Sequence, residues 1–296
     1  MIDNLPTATD FYQSGKELLN FAWETTANLL IMLDEADFEY DEEIPDRYWA
    51  KARRQLTTSL AIAQQGVELI LKGKITDISP YLLILDPPTK WPSGRAIDFS
   101  EFRTVDAQDL IKVCDTFSDV PLTKEFAEKF QSLRKRRNTI MHSVDRLSIH
   151  VIDVVESILV VHKALFPTES WPNIRLKFIE DAPESELGAD YATNRACWEV
   201  SIVKKLLKPA QVLSLLGVAK NQRSYFCPKC LERANTDDSF DFMLAVLRPK
   251  IPGATRLYCP VCNNEHEVIR QSCKSNGCRG DVKCAESEIC LTCQSP

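Results

Sequence analysis

Glycine is scarce in this chain, with nine residues among 296. That argues against a fold built on glycine-rich phosphate turns between strands and helices, and long stretches of helical period point instead to an α-rich fold. Long apolar runs are missing too. The longest, "SILVVHKALF", is interrupted by His162 and Lys163, so it reads as a buried helix, and no segment reaches the length needed to cross a bilayer. The opening residues "MIDNLPTATD" carry neither the basic region nor the apolar core of a secretion signal. These absences predict a soluble, cytoplasmic protein with no membrane partner. A strong positive charge is absent as well. The net charge is −6 and the pI near 5.4, so any contact with nucleic acid has to come from a local basic patch. Cysteine is nearly missing from the first 219 residues, where only Cys114 and Cys197 occur.

What is present can fill a core: 44% of the residues are hydrophobic. An amphipathic helix is expected over Phe11 to Leu33, its stripe formed by Phe11, Leu18, Phe21, Ala22, Leu29 and Met32. The acidic run "DEADFEYDEEIPD" follows, a solvated loop or a docking strip for a basic regulatory protein. A second helix is expected from an Asp46 cap to a stop at Gly73, central in a bundle, with Gln64, Gln65 and Glu68 sharing one side. The Pro-rich stretch 74–102 cannot be one regular element. Helices are expected again at 104–117, after Pro121, and over Leu147 to Phe166, where His150 and His162 are read as partly buried. Pro167 to Pro183 reads as a connector, and 184–217 as further helix broken near Pro209. The resulting architecture is mainly α, with a helical bundle over 1–166, a helical connector or extension over 167–219, and a small Cys-rich module over 220–296.

That module carries nine of the eleven cysteines. An odd total without a secretion signal speaks for metal ligation over disulfides. "CPKC" (Cys227, Cys230) and "CPVC" (Cys259, Cys262) are two tight turns. Each can offer two thiolates to one tetrahedral ion, and "FDFMLAVLRPKIPGATRLY" between them suits a hairpin. This is the pattern of a zinc ribbon, with an iron–sulfur cluster as the weaker alternative. Beyond it, Cys273, Cys278, Cys290 and Cys293 are the expected second set, leaving Cys284 spare. His266 could stand in for a thiolate, but the first set is already complete. Two structural Zn²⁺ ions are therefore expected, supplying much of the folding energy of a short, polar segment.

The remaining motif is "LRKRRNTIMHS". Arg134, Lys135, Arg136 and Arg137 precede Asn138, which stands one helical turn before His142. A histidine titrates near neutrality and can act as base or acid, while the arginine fork can hold phosphate oxygens. Asn138 can orient the imidazole, and Arg134, Lys135 and Arg136 can hold flanking RNA backbone.

With "RNTIMH" closing a helix, residues 10–166 resemble the HEPN superfamily, α-helical bundles with an Arg-x4-6-His motif. "SLAIAQQGVELILKGK" looks like the family's apolar second core helix, and the 74–102 excursion is longer than a minimal member needs. The resemblance implies a metal-independent endoribonuclease that leaves 2′,3′-cyclic phosphate ends, with Arg137, Asn138 and His142 as catalytic residues. It also implies a homodimer that brings two motifs into one composite site, and a role as a defence effector or toxin. Some members have lost activity and only bind. The competing expectation is thus a non-catalytic adaptor with a degenerate dimerisation bundle, whose zinc ribbons bind nucleic acid or protein; a zinc-dependent enzyme is the third.

Overall fold

The computed structural model describes residues 2–36, 43–91, 94–142, 148–234 and 240–296, with the side chains of Met141, His142 and Leu187 outside that description. The chain is mainly helical, with a Cys-rich C-terminal region built on a curled sheet. It divides into two compact units. Unit 1 holds Met1–Leu29 and Ala36–Leu165; unit 2 holds Leu30–Glu35 and Phe166–Pro296.

Helix α1 (Ala8–Glu35), which lies in unit 1 as far as Leu29, begins at a reciprocal cap. The Thr7 hydroxyl accepts from the Asp10 amide at 3.2 Å and the Asp10 carboxylate accepts from the Thr7 amide at 2.8 Å, satisfying two otherwise orphaned donors. The stripe it buries is Leu19, Ala22, Trp23 and Ala27, so two residues of the expected stripe are corrected: Phe21 and Met32 stand 55% and 61% exposed. The 3.6-residue period places Leu19 and Trp23, one turn apart, on the inner face instead.

Helix α2 (Ile44–Ile78) is the centre of the unit and packs against the three helices that follow. Its boundaries differ from those expected. Asp46 lies inside the first turn, after Pro45, whose missing N–H costs nothing there. Gly73 does not stop the helix: a Cβ at this position would meet the Tyr12 ring at 2.8 Å, so this glycine serves packing between helices. A tighter approach occurs where α1 crosses α2. A Cβ on Gly15 would lie 2.8 Å from the Gly66 carbonyl oxygen, and one on Gly66 would lie 2.8 Å from that of Gly15.

The Pro-rich excursion forms short 3₁₀ turns, and β2 (Ile97–Asp98) pairs in parallel with β1 (Ile2–Asp3). Helix α3 (Leu110–Phe117) buries Leu110, Ile111 and Cys114. Helix α4 (Lys124–His142) turns Phe126, Phe130 and Leu133 inward, the two rings stacked at 6.4 Å. Burying each such side chain contributes about 1.5–3 kcal/mol. Helix α5 (Val151–Leu165) buries Val154, Val155, Ile158 and His162, while His150, expected to be partly buried, is exposed before its first turn.

In unit 2, the stretch expected as a connector contains helix α6 (Trp171–Glu180), started by Pro172. It packs on α7 (Tyr191–Leu206) around a buried ion triad. Arg175 donates to Glu199 through Nε at 3.0 Å and Nη2 at 3.2 Å, and Arg195 Nε donates to the same carboxylate at 2.9 Å. The Glu199 side chain is wholly buried. A short α8 (Pro209–Gln211) runs into a π-type turn, Val212–Leu216, which ends at Gly217 with φ +69°. Five antiparallel strands follow in sequential order: β3 (Ser224–Phe226), β4 (Met243–Arg248), β5 (Arg256–Cys259), β6 (Asn264–Arg270) and β7 (Val282–Cys284). A short helix α9 (Pro228–Ala234) follows β3 directly. The β4–β5 pair is the hairpin expected between the two Cys-Pro-x-Cys turns. The Phe226 amide donates to the Leu291 carbonyl at 2.9 Å, bringing the C-terminal turn back onto β3.

Candidate metal centres and the Arg137 helix end

Two groups of four thiols assemble in unit 2: Cys227, Cys230, Cys259 and Cys262, and Cys273, Cys278, Cys290 and Cys293. The first comes from the junction of β3 with α9, where Cys227 precedes the helix and Cys230 lies in its first turn, and from the end of β5 (Cys259) with the turn that follows it (Cys262). A strand delivers each pair, and a tight turn then aims two thiols at one point. The sulfurs of Cys227 and Cys262 lie 3.6 Å apart and those of Cys230 and Cys259 3.8 Å apart. In the second group Cys273 and Cys293 are 3.7 Å apart, and Cys278 and Cys290 3.9 Å. A tetrahedral zinc with Zn–S bonds near 2.3 Å has an S–S edge of about 3.8 Å. The spacing is far longer than a disulfide and too short for a cage around several iron atoms. Both groups therefore fit one tetrahedral ion each, consistent with Zn²⁺. Cys284 is outside both, on β7, where it lines a groove of about 690 Å³ together with His266, Leu231, Glu232 and Glu286.

Two neighbours of the first group complete it. His266 Nε2 lies 3.3 Å from the Cys227 sulfur and 3.7 Å from that of Cys262, so His266 is a hydrogen-bond partner of the ligands and not a replacement for one. Those two contacts raise the imidazole pKa to about 10. The other neighbour is Cys197 on α7, which sequence reasoning left unassigned. It is buried and is the first cause of the raised pKa of the Cys230 thiol. No spacing rule links it to the Cys-rich segment; only the packing of α7 on α9 does. The same side of the module is held by Ser170 Oγ, donating to the Pro260 carbonyl at 3.0 Å, and Asn173 Nδ2, donating to that of Val261 at 3.3 Å.

In unit 1, the basic motif occupies the C-terminal end of α4. Arg137 Nη1 donates to Asn138 Oδ1 at 3.3 Å. The backbone places His142 one turn beyond Asn138, on the same helix face; the imidazole lies outside the described side chains. The flanking cations differ from one another. Lys135 is exposed, Arg134 donates to Gln131 at 3.0 Å, and Arg136 forms an ion pair with Asp153 of α5 at 3.2 Å. Glu68 on α2 accepts from Gln64, and among the described residues no hydrogen bond or ion pair joins it to Arg137. Gln65 is exposed and does not share that side. The acidic run lies partly outside the described residues, at 37–42. No described helix is long and apolar enough to cross a membrane.

A scan of protein-family models, a search of curated proteins and a search of solved structures each return no match to this chain.

Proposed function

We propose that this chain is a cytoplasmic endoribonuclease of HEPN type that cuts RNA without a catalytic metal, carrying two zinc-bound structural sites in an accessory module. The observation that supports it most is the segment "RNTIMH" closing α4 of a helical unit, with Arg137 and Asn138 in mutual contact and His142 one turn on. The chemistry follows from those side chains. The RNA 2′-oxygen attacks the adjacent phosphorus as its proton passes to a histidine. The bond from phosphorus to the 5′-oxygen breaks, and that oxygen takes a proton from a second histidine. The products are a 2′,3′-cyclic phosphate and a 5′-hydroxyl. Arg137 stabilises the charge gathering on the non-bridging oxygens. One chain supplies one motif histidine, so a homodimer supplies the base and the acid. A toxin or defence effector is the role that suits such an activity.

The test is cleavage of total and transfer RNA by purified protein in EDTA, wild type beside His142→Ala. EDTA-resistant cutting that is lost in the variant, with cyclic phosphate ends, is expected. Cutting by the variant at the wild-type rate overturns the assignment. A second reading, a non-catalytic adaptor, draws on the engagement of Arg134 and Arg136 within the fold, which leaves Lys135 as the freest flanking cation. It is favoured if neither protein cuts.

A further inference from the structure

Beside the first thiol group lies a second polar concavity. Helix α6, helix α9 and the turn after Cys262 enclose a cleft of about 310 Å³. Lys177 enters it from α6, Lys229 and Arg233 from one face of α9, and Asn263 and Asn264 from the turn. The carboxylate in the lining, Glu180, is held by Arg233 at 2.9 Å. Asn263 Oδ1 is also engaged, accepting from the Tyr258 hydroxyl at 2.9 Å. Leu176 is apolar and the Cys262 thiol is committed to the first thiol group, so what remains for a ligand is a set of donors: two ammonium groups, the rest of a guanidinium fork, and side-chain amides. Such a set is complementary to an oxyanion. The volume is at the lower end of small-ligand sites, roughly 300 Å³, which admits one nucleotide of a flexible strand and no duplex. The segment from residue 220 onward also carries eleven Lys and Arg against nine Asp and Glu, in a chain whose net charge is −6.

We propose that the cleft formed by Lys177, Lys229, Arg233 and Asn264 binds a backbone phosphate of single-stranded RNA. The choice of RNA among phosphate-bearing ligands rests on the proposed function; the anion site itself rests on the lining. The module would then hold substrate backbone, an electrostatic and sequence-independent task.

The experiment uses the full-length, zinc-loaded chain carrying His142→Ala, titrated with a fluorescent single-stranded oligoribonucleotide of mixed sequence between 50 and 200 mM salt. Adding Lys177→Glu and Lys229→Glu is expected to weaken binding about tenfold or more and to flatten the dependence on salt by about one to two phosphate contacts. Zinc content is expected to stay at the parent level. Lys177→Glu alone, an exposed change on α6, guards against a folding defect and is expected to weaken binding about threefold. Unchanged affinity and salt slope in both variants overturns the proposal. Binding of adenosine monophosphate or inorganic phosphate that needs the two lysines, alongside oligonucleotide binding that does not, overturns the assignment to RNA and leaves a small-anion site. Failure here is separable from failure of the ribonuclease reading, because binding is read in a chain that lacks His142 and cutting in one that has it.

Discussion

His266 and Cys227 are neighbours at 3.3 Å, although 39 residues of sequence separate them and four thiols already fill the adjacent metal site. The imidazole therefore acts on the ligands from outside, offering a hydrogen bond to sulfur. Partners of this kind fix ligand orientation, and losing one weakens metal affinity about 10–100-fold. His266→Ala is expected to keep two zinc ions per chain at saturation, but to yield one of them to a chelator at a correspondingly lower concentration. Competition with a chromogenic chelator measures this. Loss of one whole equivalent at saturation would instead make His266 a ligand.

Cys284 and Cys290 make a sharper pair. Both are buried and only six residues apart, yet only Cys290 belongs to a thiol group. Cys284→Ser is expected to retain two zinc ions per chain, and Cys290→Ser to lose one and to unfold part of the module, because metal binding there is folding energy. Metal analysis by mass spectrometry under native conditions distinguishes them.

The Arg175–Glu199–Arg195 triad sets a scale for ion pairs in unit 2. Glu199 is fully buried between two guanidiniums. Removing it leaves those charges in a poor solvent, and Glu199→Ala is expected to cost about 3–5 kcal/mol. The exposed pair Arg233–Glu180 is the control: Glu180→Gln is expected to change stability by less than about 1 kcal/mol. Denaturation midpoints of the two variants measure the contrast.

Gly66→Ala tests the crossing of α1 and α2. The new methyl group would meet the Gly15 carbonyl oxygen at 2.8 Å, backbone that cannot step aside as a side chain can. The expected cost is about 1–3 kcal/mol. A neutral result would mean that the helices part easily there.

Cys114 gives a dependence on alkaline pH. Burial pushes its thiol up to about 11 from an ordinary 9. A thiol with a raised folded pKa favours the fold while it stays neutral, so its contribution is complete below about pH 9 and is lost as pH rises through about 11. Thermal stability is expected to fall over that window, less steeply in Cys114→Ala. The native thiol is expected to resist alkylation at pH 7.

The helices of unit 1 and both thiol groups were legible in the sequence because each rests on a local pattern, an apolar period or a pair of cysteines on a tight turn. The misreadings come from residues whose meaning depends on distant partners. The stretch Pro167 to Pro183 reads as a connector, but Pro172 within it sits in the first turn of a helix, where proline is at home. Gly73 looked like a stop, but it makes room for Tyr12. Cys197 carried no signal at all, since what brings its thiol to Cys230 is the packing of α7 on α9. At the motif, the sequence offered four equivalent cations; the fold spends Arg136 on Asp153 and Arg134 on Gln131, distinctions that only neighbouring side chains create.

The hydrogen bond from Phe226 to Leu291 has one more consequence. Phe226 immediately precedes the first ligand of one thiol group, and Leu291 stands between the last two ligands of the other. The strand that presents Cys227 is thus stitched to the turn that presents Cys290 and Cys293, with β5, β6 and β7 linking the same two places a second way. The two thiol groups share one backbone frame. Emptying one site is therefore expected to loosen the frame that presents the other and to lower its affinity for metal without emptying it.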